Sequence, residues 1–220
     1  MNAQKRRRIF EKLAAANPAP QTELEFGNPF QLLIAVLLSA QTTDKAVNAA
    51  TRRFFPFVKT PADLVAMGEA RLAEHIKTIG LYRNKAKNAV ATAQLLIERH
   101  GGEVPREREA LEALPGVGRK TANVVLNCAF GEPTFAVDTH VFRVANRMRL
   151  APGRTPREVE DKLMRFTPAE YLKDAHHWLI LHGRYTCTAR APRCGECIVF
   201  DECEHPGRVK RRATAGEKGA

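Results

Sequence analysis

Four of the chain's five cysteines are spaced Cys187-x6-Cys194-x2-Cys197-x5-Cys203. Thiolates so close in sequence converge readily on one soft metal centre, and the reducing interior of a cell leaves them unpaired and able to do so. Spacing alone leaves open a zinc ion or a four-iron four-sulfur cluster. The single Cys-x2-Cys knuckle, flanked by wide loops instead of a second knuckle, favours the cluster. Either way, residues 187–203 are irregular in composition, and bound metal rather than helix or strand fixes their path. The loop between the first two ligands, "TARAPR", displays Arg190 and Arg193 on a segment pinned at both ends, where they suit a phosphate or are simply solvated surface. Cys128 stands apart beside Val124 and Val125 on the apolar face of a helix and reads as a core thiol.

Intracellular location is the expectation. Met1 is followed by polar and basic residues with no apolar stretch of the secretory type. The most apolar run, "LLIAVLLSA" from Leu32, is about half of the ~20 residues a membrane span needs, so it reads as a core helix.

Helical periodicity runs through the rest of the chain. Phe30, Leu33, Ile34, Leu37 and Leu38 recur as one helix face, as do Ala86, Ala89, Val90, Ala93, Leu96 and Ile97 between Tyr82 and the Gly101-Gly102 stop. Further helices are expected over 3–16, 43–56, 69–76, 119–129, 139–148, 156–166 and 168–181. No alternation of period two lasts long enough for a sheet.

The net charge of +11 points to a polyanionic partner, but eight of those cations lie in the two tails, and without them the charge falls to +3. The motif at 114–125, "LPGVGRKTANVV", says more. Gly116 and Gly118 open a helix whose bare N–H groups suit a phosphate, in the manner of a helix-hairpin-helix. Lys120 is then either a phosphate contact or a nucleophile, since an amine in a positive field is of the kind that forms Schiff bases. Its natural carboxylate partner is Asp138 in "FAVDTHVFRV", which is equally suited to cap the helix that follows.

"LPGVGRKTA", "VDTH" and the cysteine spacing, in that order, resemble the endonuclease III family, the iron–sulfur DNA glycosylases and abasic-site lyases of the helix-hairpin-helix superfamily. The likeness runs from about residue 5 to 205 and takes in "LLSAQTTD", "IGLYRNKA" and "HHWLILHGRYTC". It implies an all-α fold of two helical domains with a DNA-binding cleft between them. A six-helix barrel with the helix-hairpin-helix would cover 23–133, an iron–sulfur cluster domain 1–22 with 134–205, and a basic, disordered tail 206–220. The same resemblance implies one 4Fe-4S cluster on Cys187, Cys194, Cys197 and Cys203, and a monomer acting on double-stranded DNA with a damaged pyrimidine or abasic site, with no membrane partner.

By the resemblance, Lys120 attacks C1′ of a flipped-out nucleotide while Asp138 stabilises the developing cationic sugar and assists the lysine. A Schiff base then forms, and β-elimination cuts the strand. Gln41 would fill the vacated space and Leu81 would wedge the stack, while His140 either contacts the lesion or packs at its helix start. Oxidised pyrimidines of the thymine glycol type are the expected substrates. Adenine glycosylases share the cysteine spacing, but they lack a lysine at the position of Lys120, and most carry an extra C-terminal domain for which this chain has no room. A non-catalytic DNA clamp and a redox carrier are the readings from other classes, and the second would need no hairpin.

Overall fold

The computed structural model describes residues 1–208 and contains helices and no strand among them. The chain divides into two compact units, Thr22–Glu132 and Met1–Gln21 with Pro133–Ala220. They are called here the hairpin unit and the cysteine unit.

The hairpin unit holds six helices: α2 Pro29–Leu38, α3 Asp44–Thr51, α4 Pro61–Ile76, α5 Tyr82–His100, α6 Arg108–Glu112 and α7 Arg119–Phe130. Asn28 caps α2 by accepting from the Gln31 N–H at 2.8 Å, and Pro29 supplies the fixed φ of the first turn. Every residue from Phe30 to Leu38 is buried, and a helix apolar on all sides belongs in a core. It packs against α3, α5 and α7. Its one polar member, Gln31, accepts from the Gly27 N–H and donates to the carbonyls of Phe55 and Val58 at 2.9 and 2.8 Å, so no polar atom is stranded.

In this unit two boundaries and one short helix differ from the sequence expectation. The helix expected over 43–56 stops at Thr51, ahead of Pro56, which has no N–H to give and disfavours helical geometry at Phe55. The helix expected over 69–76 begins at Pro61 with a Thr60–Asp63 capping box, and Gly68 at φ +78° breaks it internally, which hid the first half from periodicity. The five residues of α6 are too few to show a period.

The cysteine unit holds α1 Ala3–Ala16, α8 Thr139–Arg147, α9 Pro156–Phe166 and α10 Leu172–Tyr185, with short 3-10 turns at Ala169–Tyr171 and Cys194–Glu196. The helix expected over 168–181 is therefore displaced, its start taken by the first of these turns. The core joins Ile9, Phe10 and Leu13 of α1 to Val141, Val144, Leu163, Trp178, Leu179 and Val199. Lys12 and Arg8 reach the buried Glu202 carboxylate at 2.9 and 3.4 Å, Lys5 reaches Glu204 at 3.1 Å, and the Trp178 indole donates to the Asn17 carbonyl at 2.8 Å. Residues 206–208 belong to this unit, with the Arg208 guanidinium over the Phe200 ring at 5.8 Å. The rest of the tail expected over 206–220 lies outside the described residues.

Candidate functional site

In the hairpin unit, α6 packs on α7, and the Arg108 guanidinium donates to the Asn123 side chain across the pair at 2.9 Å. The turn between them closes with the Val117 N–H on the Leu114 carbonyl at 3.1 Å. Gly116 sits at φ +76°, and a Cβ there would come within 2.8 Å of the Asn88 amide, so both conformation and space require glycine. Gly118 is the N-cap of α7 and supplies no side-chain acceptor, while a Cβ built on it would meet nothing within 4 Å. Helix α7 thus starts without a side-chain cap, an arrangement that suits a backbone phosphate. Lys120, the second residue of that helix, is exposed. A phosphate bound there would share one helical turn with the amine.

The same unit carries Gln41 and Leu81, both exposed and both left-handed, at φ 54° and 58°. A non-glycine residue held there costs on the order of 1–2 kcal/mol, which surrounding contacts must offset. Leu81, 60% exposed, is the N-cap of α5 and has no side-chain cap of its own. One stripe of α5 braces what lies around it. The Lys85 ammonium donates to the Thr42 hydroxyl at 2.7 Å, Asn88 lies against Gly116, and the Thr92 hydroxyl donates to the Pro115 carbonyl at 3.1 Å.

In the cysteine unit, Asp138 caps α8, its Oδ1 accepting from the Val141 N–H at 2.8 Å, and the residue is half-buried. One turn on, the Arg143 guanidinium contacts His140 Nδ1 at 3.2 Å and donates to the carbonyls of Gly183 and Cys187 at 2.7 and 3.0 Å. Arg147 donates to the carbonyls of Thr188 and Ala189 at 2.7 and 3.1 Å, and to the Cys187 sulfur at 3.5 Å. Helix α8 therefore has the carboxylate at its N-terminus and grips the start of the cysteine loop with two arginines. Gly183 allows this contact, since a Cβ there would lie 2.9 Å from that of His140.

Cys187, Cys194, Cys197 and Cys203 line one small pocket with Arg147, His182, Arg193 and Arg208. Burial, with the neighbouring Cys203, Cys187 and Cys194 adding to it, pushes the Cys197 thiol up to about 11. Four cysteines sharing one pocket, with Arg147 and Arg208 on its lining, suit an iron–sulfur core whose positive charge offsets the thiolates and whose net anionic complex the guanidiniums balance. In this loop Arg190 is exposed, whereas the Arg193 guanidinium turns back onto the Tyr185 carbonyl and lies 3.4 Å from Glu196. Cys128, expected in the core, is only partly buried on α7, and desolvation still pushes its thiol up to about 12.

The structure thus places Gln41, Leu81, Gly116, Gly118 and Lys120 on the hairpin unit. Asp138, His140, Arg190, Arg193 and the four cysteines are on the cysteine unit. Sequence reasoning missed the braces Lys85, Asn88, Thr92, Arg143 and Arg147. The α5 braces recur at helical spacing after Leu81 and the two arginines are one turn apart after "VDTH", so periodicity applied to polar residues would have flagged them.

Residues 34–169 match the family model of the HhH-GPD superfamily base excision DNA repair proteins, and residues 187–203 match that of the iron–sulfur binding domain of endonuclease III. Endonuclease III of Escherichia coli K12 is 59% identical over 95% of this chain and 99% of its own length. That of Haemophilus influenzae is 58% identical over 96% of this chain and 100% of its own. Among solved structures, a trapped endonuclease III–DNA covalent intermediate is similar at a TM-score of 0.88 and 45% identity, covering 96% of this chain and 99% of that one.

Proposed function

The chain belongs to the endonuclease III family within the HhH-GPD superfamily of base excision DNA repair proteins, and on that premise we propose that Lys120 is its nucleophile and Asp138 the carboxylate that serves it. The protein is a DNA-binding glycosylase and abasic-site lyase with a [4Fe–4S] cluster. One observation carries the residue assignment: an exposed amine on the first turn of a helix whose amides receive no side-chain cap from its N-terminal glycine. A backbone phosphate seated on those amides holds its own sugar beside the amine. The trapped covalent intermediate of the relative supports a covalent route.

Chemistry follows from this placement. Once the damaged nucleotide leaves the stack, Lys120 Nζ bonds to C1′ as the glycosidic bond breaks and the base departs with the bonding pair. Asp138, with one oxygen committed to its cap, offers the other to the developing positive charge and to the lysine's proton. Ring opening gives the Schiff base, loss of a C2′ proton expels the 3′ phosphate, and water releases the lysine. The cluster, which Cys187, Cys194, Cys197 and Cys203 would hold, would supply a cross-link that fixes the loop and presents Arg190 for phosphate contact, Arg193 being turned back within the loop. The substrates on this reading are ring-saturated pyrimidines such as thymine glycol, and the acting species is the monomer.

Borohydride trapping on a duplex with a single thymine glycol tests the assignment. The native protein forms a covalent adduct, whereas Lys120→Gln forms none and excises more than ~1000-fold more slowly. Its DNA affinity meanwhile loses about one charge from the salt slope. An adduct of undiminished yield from Lys120→Gln removes Lys120 as the nucleophile.

A further inference from the structure

Lys85 is 5% exposed, lies one turn into α5, and has no carboxylate as partner among the described residues. Its backbone N–H donates to the Leu81 carbonyl at 3.0 Å. Its ammonium donates to the Thr42 hydroxyl at 2.7 Å, and that hydroxyl in turn lies 3.4 Å from the carbonyl of Ala40. Gln41 is the residue between, so the two links fix both flanks of its left-handed backbone. Leu81, the other strained position of this unit, is fixed by the same lysine's main chain.

We propose that Lys85 is a positioning residue that locks the Gln41 loop to the Leu81 turn, so that filler and wedge enter the duplex as one rigid unit. The proposal rests on the reading of Gln41 as filler and Leu81 as wedge. Burying an ammonium on a neutral hydroxyl is a poor way to gain stability, because a lone hydroxyl does not replace the water lost. Burial accordingly draws the lysine below its ordinary pKa, with no anion opposing it. What the contact supplies is geometry, joining two segments 43 residues apart in sequence at the points where their backbones are strained. Prepaid ordering of both insertions lowers the cost of opening the stack, so the effect belongs to extrusion of the nucleotide and not to bond cleavage.

The test compares holoenzymes in single-turnover excision of thymine glycol, either paired with adenine or placed in an unpaired bubble, with 2-aminopurine beside the lesion to report unstacking. Lys85→Met keeps the apolar stem and removes the ammonium. Expected are about tenfold slower excision of the paired lesion, a change under about twofold in the bubble, and weakened 2-aminopurine enhancement. The Lys85→Met and Gln41→Ala effects combine to less than their product. Thr42→Val breaks the same link from the other side and reproduces the pattern, and it carries the test if Lys85→Met fails to fold. Equal slowing on both substrates overturns the proposal, as does full multiplicativity or a silent Thr42→Val. If Gln41→Ala and Leu81→Ala slow the paired substrate while Lys85→Met and Thr42→Val excise at the native rate, the lock alone falls. If Gln41→Ala and Leu81→Ala themselves match the native rate, the filler-and-wedge reading falls and takes the lock with it.

Discussion

The hairpin unit is one unbroken stretch, Thr22–Glu132, closed by apolar packing of six helices. The cysteine unit is two stretches brought together from opposite ends of the sequence, and to the apolar core that joins them it adds contacts of another kind. Lys12, Arg8 and Lys5 pair with Glu202 and Glu204, arginines of α8 hold the cysteine loop, and four thiols share a pocket. The contrast follows the chemistry each unit carries. The positions proposed above for phosphate grip, filler and wedge, Gly116, Gln41 and Leu81, hold positive φ on this apolar frame. Asp138 stands on a helix whose far side grips the cysteine loop, so its placement is tied to bound metal.

Metal removal breaks the comparison most severely. Loss of the cluster, by oxidation or in Cys197→Ala, unfolds the cysteine unit and leaves the hairpin unit standing. The chain has a single tryptophan, Trp178, 4% exposed in the cysteine unit, so its emission reports that unit alone. Expected are a full red shift of emission, a partial loss of helical circular dichroism, and a protease-resistant fragment near 22–132. Simultaneous loss of all helical signal would show that the two units do not fold separately.

The converse cut is smaller. Leu33→Ala, at a fully buried position of α2, costs about 2–5 kcal/mol, read as an earlier denaturant midpoint by circular dichroism with the Trp178 transition unmoved.

Acid sharpens the contrast further. Burial, partly opposed by Asp174, holds His177 below its ordinary pKa, and burial pushes His182 down to about 4. Both are in the cysteine unit and stay neutral in the fold, while the unfolded chain takes up protons below about 6.5. Stability from this source is therefore present above pH 6.5 and lost as pH falls toward the folded values. Glu202 acts lower. Burial raises its carboxyl, but Lys12, its own backbone N–H and Arg8 outweigh that and hold it below the usual range, so its contribution is lost as pH falls through that depressed value. Between pH 6.5 and 4.5 the Trp178-detected urea midpoint falls while that of the hairpin unit holds. At the small end, Arg52→Ala removes the exposed pair with Glu25 and leaves every midpoint within error, because solvent screens it.

The parts legible in sequence share one property: their causes are local. The α2 and α5 faces, the Asp138 cap, the glycines of the hairpin turn and the cysteine spacing all act within a few residues of themselves. What escaped was set at long range or cut short by a neighbour. Nothing in the sequence around Gln41 announces a left-handed backbone, and its neighbour Thr42 is met by Lys85 from 43 residues away. Arg143 and Arg147 acquire meaning only when a loop some 40 residues away arrives. Gly68 split a helix that would otherwise have been read whole.

The clasp between α1 and residues 202–204 has a consequence for the making of the protein. The hairpin unit is complete in the nascent chain once Glu132 has left the ribosome, whereas α1, synthesised first, must wait for Glu202 and Glu204. At 5–20 residues per second that wait is roughly 10–40 s. Until Val141, Val144 and Trp178 emerge, the face formed by Ile9, Phe10 and Leu13 has no core to enter, and its charged clasp closes only with Glu202 and Glu204.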